Sequence, residues 1–123
     1  MELSRVEKGR QVMYDMMGEH GNAALNQIAA MDEGFAELLI GFFGDIYGRT
    51  GLDKKQKALV TLTTLITQGA HAQLRLHTHT ALRAGLTERE IMETVIQCIP
   101  YVGFPSATNA LHVIRETLDR EKN

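Results

Sequence analysis

The residues best suited to chemistry in this chain lie between Gln73 and Pro105, in the stretch QLRLHTHTALRAGLTEREIMETVIQCIPYVGFP. His77 stands first among them. Imidazole is the one side chain that exchanges protons readily near neutral pH, so His77 is the candidate catalytic acid or base. In a helix, Gln73 and Ala81 share its face, and the small Ala81 leaves room for a ligand there. The ordinary alternative is a helix histidine satisfied by a neighbour. Arg75 and Arg83 offer guanidinium forks that match a carboxylate; as solvated charges they would be unremarked. Tyr101 sits beside the breaks signalled by Pro100 and Gly103, where its hydroxyl can point into a cleft or its ring can cap the core.

The other reactive side chains carry less. His79 falls on the far side of a helix from His77, and His71 on a third face, so regular geometry does not let them chelate one ion. No HExxH, CxxC or EF-hand pattern is present, and no metal site is expected. Cys98 is the one cysteine. It excludes an intramolecular disulfide and a four-thiolate metal site, and fits a reducing cytoplasm. It sits in an apolar stripe with no basic neighbour, as a core thiol does.

Composition bounds what can position these residues. At 123 residues the chain is expected to be one domain, 1–123. A net charge of −2 without a basic run argues against nucleic acid or an anionic membrane as partner. The N-terminal MELSRVEKGR has no apolar core of a secretory signal. No apolar run approaches the ~20 residues that span a bilayer. The expected setting is therefore cytoplasmic.

Periodicity predicts helices throughout, about six or seven of them at typical lengths, and no strand. Ser4 and Glu7 have capping-box spacing at the head of a helix over 4–17, which Gly18 and Gly21 break. Asn22 caps a short successor. From Asp32, the residues Phe35, Leu38, Leu39, Phe42, Phe43 and Ile46 recur at helical spacing and read as its buried face. Gly34, Gly41 and Gly44 there suggest close packing of another helix. Further helices are expected near 53–69, 71–84, 88–99 and 105–120. Gly85 provides a left-handed stop, Thr87 and Glu90 a capping box, and Pro100 an end or kink at Ile99. The charged end from Arg115 to Asn123 is expected to fray.

One combination of motifs is more specific than its parts. Leu74-x-x-His77, then Ala81-Leu82-x-x-Gly85-x-Thr87-x-x-Glu90-Ile91, then Tyr101-x-Gly103-x-Pro105 and Asn109-Ala110 resemble the carboxymuconolactone decarboxylase family. The resemblance runs over roughly residues 35 to 120. It implies an all-helical, alkyl hydroperoxidase D-like fold, and a homo-oligomer, trimer or hexamer. One branch of this family decarboxylates carboxymuconolactone without a cofactor. The other, a peroxidase branch, uses a Cys-x-x-Cys pair and an upstream glutamate. On the His77 register those would fall at Ala70, Gln73 and Ala58, so the thiolate relay has no residues to run on. The decarboxylase branch usually has glutamate where this chain has Gln73, whose amide orients a substrate but transfers no proton.

The resemblance thus implies a cofactor-free lyase for a small carboxylated lactone or related molecule. His77 would be its general acid, with Gln73, Arg75 and Tyr101 binding substrate and no metal. The competing reading is a non-catalytic oligomeric binding or assembly protein on the same scaffold. A redox enzyme is disfavoured. The chain should show no turnover of an organic hydroperoxide with a dithiol reductant, and Cys98→Ser should leave its properties nearly unchanged. A peroxidase assay in which that substitution abolishes turnover would contradict the reading of the thiol.

Overall fold

The computed structural model describes residues 2–122, and among them the regular structure is all α-helix. There are five helices: α1 (Arg5–Met31), α2 (Glu33–Tyr47), α3 (Lys54–Gln68), α4 (His71–Arg83) and α5 (Glu88–Glu121). They form two compact units, Met1–Asp53 with α1 and α2, and Lys54–Asn123 with α3, α4 and α5.

The count of five, rather than six or seven, has a local cause. Two glycine breaks expected to separate helices are present as sharp kinks, at which one helical segment follows another without an intervening loop. Gly18 in α1 has φ 62°, and Gly103 in α5 has φ 83°. Both values lie in the left-handed region, where a Cβ is strained and glycine is not. Gly21, the other expected breaker, stays helical and buried. Pro100 does not end α5; the helix runs through it and turns three residues later, at Gly103. Pro105 follows in the first turn after that kink, where its missing N–H costs nothing.

In the first unit, Ser4 Oγ accepts from Glu7 N at 3.1 Å, and Asp32 Oδ1 accepts from Phe35 N at 2.8 Å. These caps satisfy orphan donors at the starts of α1 and α2. The face by which α2 packs is not the large apolar one. Ala36, Ile40, Gly41 and Gly44 are buried, whereas Phe35, Leu38, Phe42 and Ile46 are exposed. The reason is the closeness of α1. A Cβ on Gly44 would stand 2.6 Å from Gly9 Cα, and one on Gly9 would collide with the Ile40 carbonyl. Two backbones meet here through glycine, and only the small-residue side of α2 allows that approach. Arg5 spans the pair, with Nη2 2.7 Å from Asp45 Oδ2.

In the second unit, Leu62, Ile66, Leu74, Ile91, Ile114 and Leu118 form the centre of one apolar cluster. Burial of each such side chain contributes roughly 1.5–3 kcal/mol before entropy is counted. Leu59 lies at the surface of α3, and the adjacent Ala58 is in the core. Gly85 stops α4 with φ 102°, and Leu86 N donates to Ala81 O at 3.0 Å. Thr87 and Glu90 then make the full capping box, with reciprocal bonds of 2.9 and 3.0 Å. The end of α5 does not fray over the described residues. It is helical to Glu121, and Arg115 joins Asp119 at 3.2 Å and Glu88 at 3.5 Å. Arg120 pairs with Glu116, and Lys122 with Glu88. Asn123 lies outside the described residues.

Gly44→Ala should therefore destabilise the α1–α2 pair by about 1–3 kcal/mol, the usual cost of overpacking. Gly51→Ala, where a Cβ would meet nothing within 4 Å, should stay within ~0.5 kcal/mol. Urea unfolding of both variants checks this. Equal stability of the two would contradict the close contact.

Candidate functional site

α4 starts where Gly69, with φ 67°, turns the chain out of α3. Ala70 has a non-helical backbone (φ −82°, ψ 73°), and Leu74 N donates to its carbonyl at 2.8 Å. Three of the α4 side chains then carry the helix into the core: Leu74, Thr78 and Ala81. Thr78 is polar but fully withdrawn from water, which its hydroxyl tolerates by donating to Leu74 O at 2.7 Å. Ala81 is packed tightly in this stripe, so the room for a ligand expected beside it is filled.

His77 flanks the stripe and is half-buried. Its Nδ1 is buried and has no hydrogen-bond partner among the described residues. Burial pushes its pKa down from the ordinary histidine value to about 4. The cause is desolvation, which penalises the imidazolium and not the neutral ring. At neutral pH His77 is therefore an uncharged imidazole with an unspent polar atom. That combination is uncommon for a purely structural histidine, because a buried polar atom left unpaired costs free energy.

The other sequence candidates are placed as follows. Gln73 is exposed, one turn before His77 and on the same side of α4. Arg75 is exposed too, but two residues from His77, so it leaves the opposite side of the helix. Tyr101 is 82% exposed on α5. It lines a groove of about 620 Å³ whose other walls include Leu59, Thr63, Gln97, Cys98 and Val102, all from α3 and α5. α4 contributes nothing to that groove, so within the single chain Tyr101 and His77 occupy different sites.

The groove is not among the sequence expectations; its signal lies in the i, i+4 pair Thr63 and Thr67 on α3 and in Cys98, which the sequence places in an apolar stripe. Cys98 is buried, and desolvation raises its thiol pKa, while a side-chain hydrogen bond with Thr63 pulls the other way. A thiol held in its protonated form is a poor nucleophile. His79 is also accounted for. Its Nδ1 forms an ion pair with Glu121 and ties α4 to the last turn of α5.

Comparison with known proteins now bears on this geometry. The sequence model of the carboxymuconolactone decarboxylase family matches residues 33–116. The 4-carboxymuconolactone decarboxylase of Acinetobacter baylyi is 29% identical over 114 residues, covering 91% of this chain and 85% of that protein. A nitrosuccinic acid decarboxylase of Metarhizium robertsii is 36% identical over 115 residues, covering 92% of this chain and 80% of its own length. An uncharacterized 15.0 kDa protein of Paracoccus denitrificans is 39% identical over 88 residues, covering 70% of this chain and 66% of that protein.

The state of His77 is open to direct titration. An NMR titration of the folded protein should find its midpoint near pH 4 rather than near the ordinary 6.5. Between those two values the unfolded chain binds a proton at this position and the folded chain does not. Stability is then complete above about pH 6.5 and declines as pH falls through the window, by at most about 3 kcal/mol. His77→Gln should remove that part of the decline in urea unfolding at pH 7 against pH 4.5. A midpoint near 6.5 would show that the ring is solvated.

Proposed function

The chain belongs to the carboxymuconolactone decarboxylase family, and on that premise we propose that it is a carboxy-lyase for a small carboxylic acid, with His77 as its proton donor. The observation that carries this is the buried, unpartnered Nδ1 of a neutral His77. Two relatives that align over most of this chain are named as decarboxylases, which supports the reaction class.

Loss of carbon dioxide breaks the bond between the carboxylate carbon and the substrate carbon. The electron pair stays on the substrate, where an adjacent carbonyl or similar acceptor delocalises it, and a proton must then be delivered to that carbon. An electron sink inside the substrate lets this step run without a cofactor. Free His77 holds almost no proton at pH 7, since burial pushes its pKa down to about 4. A bound carboxylate changes that. An opposite charge within ~4–6 Å favours the charged form, so substrate and proton arrive together. Once carbon dioxide has left, the negative charge resides on the substrate carbon and its acceptor, and the imidazolium gives its proton to that carbon, which leaves both groups neutral in the dry site. His77 returns to the neutral form.

Gln73 lies within one turn of His77 and orients the substrate through its amide, without taking part in proton transfer. Arg75 and Tyr101 leave on other sides of the chain and are not needed for this step.

His77→Ala should lower turnover of a carboxymuconolactone-like acid by on the order of a hundredfold, within the usual range for a general acid, with the thermal melting point retained. Gln73→Glu, which restores a second proton-transfer group, should raise turnover. Full activity in His77→Ala would end the proton-donor role. Absence of decarboxylation in the wild type and in Gln73→Glu would instead favour a non-catalytic binding protein.

A further inference from the structure

The groove between α3 and α5 lies apart from His77 and takes no part in the reaction proposed above. Its volume of about 620 Å³ falls within the ~300–1,000 Å³ of small-molecule sites. The two helices run in the same direction here: Lys55 acts on Glu90 near one end, and Thr63 bonds the Cys98 thiol in the middle. The buried Thr94 and Cys98 form the floor, and Leu59 and Val102 supply apolar walls. Along α5, Glu93, Gln97 and Tyr101 follow one another at four-residue spacing on the groove side, a span of roughly 12 Å. One end of the groove is therefore charged, and the other is closed by the exposed ring of Tyr101.

We propose that this groove binds an elongated apolar amine, with its ammonium at Glu90 and Glu93 and an aryl body against Leu59, Val102 and Tyr101. Two features select an amine over an acid. The first is charge. Within the groove two carboxylates, Glu90 and Glu93, face one guanidinium, Arg89, which Glu93 already holds at 3.0 Å. Glu90 accepts the neutral Thr87 N–H on one oxygen, and Lys55, which is not a wall of the groove, is the least of the influences on it. The surplus is negative, which draws a cation and repels an anion. The second feature is hydrogen-bond direction. Thr67 Oγ1 donates to Thr63 O at 2.8 Å, and Thr94 Oγ1 donates to Glu90 O at 2.9 Å. The Thr63 hydroxyl is engaged with Cys98. These hydroxyls have spent their hydrogens and show a ligand only lone pairs. An ammonium, with three donors, matches them; a carboxylate, which only accepts, does not. At the far end, the Tyr101 ring offers an aryl body an aromatic face.

A matched pair of ligands tests it on the full chain at pH 7. Phenylbutylamine should saturate the protein with a dissociation constant at least about tenfold below that of phenylbutyrate. In amide NMR spectra the shifts should centre on Thr63, Cys98 and Tyr101 and leave His77 unmoved. Gln97→Trp, which fills the middle of the groove from an exposed position, should abolish saturation with the melting point retained. Glu93→Lys reverses the surplus charge and should invert the order, so that phenylbutyrate binds the tighter. Failure of the amine to saturate at millimolar concentration, equal binding of amine and acid, or shifts centred on α4 would each overturn the proposal. So would undiminished binding in Gln97→Trp, or an unchanged preference in Glu93→Lys. If Gln97→Trp does not fold, the order of the two ligands in Glu93→Lys decides. None of these readouts depends on decarboxylation, so their failure is distinguishable from failure of the role proposed for His77.

Discussion

Leu74, Thr78 and Ala81 are almost wholly withdrawn from water, and their burial is what seats α4 in the Lys54–Asn123 unit. His77 inherits its character from that seat. The ring has no charged neighbour to credit for its depressed pKa; desolvation alone is responsible. Burial moves the pKa values of two residues in opposite directions. It holds the His77 ring neutral, and it keeps the Cys98 thiol protonated. In each case the uncharged form is favoured, but only the imidazole remains useful for proton transfer in that form.

The turns around α4 keep the seat rigid. Gly69 and Gly85 both adopt positive φ, one before the helix and one after it. The capping box of Thr87 and Glu90 fixes where α5 begins, immediately beyond. At the far end, the pair between His79 and Glu121 returns α5 to α4. The helix that carries His77 is thus held at its ends by backbone geometry and along its length by apolar burial. A side chain placed on a regular element in this way keeps its position better than one on a loop.

In the other unit a different constraint rules. Gly9 and Gly44 let two helix backbones touch, so α2 turns its smallest residues inward. Large apolar side chains are left outside as a direct result. Burial there is decided by how closely backbones approach, and not by side-chain hydrophobicity alone.

Much of this was legible in the residues themselves. The all-helical class followed from spacing, and the junction from Gly85 through Thr87 and Glu90 followed from capping chemistry, because both depend on neighbours within a few positions. The family was recognisable from motifs around His77. Three matters were decided only by tertiary structure. Whether α2 buries Phe35, Leu38 and Phe42 or Ala36, Ile40 and Gly44 depended on the approach of a helix some thirty residues distant in sequence. Whether a loop or a sharp kink follows the helical segment at Gly18 and at Gly103 was visible only in the backbone angles there. And whether Tyr101 joins His77 or lines a separate groove depended on which helices pair. Local spacing specifies a helix and its faces; which face is covered, and by what, is a property of contacts between residues far apart in the chain.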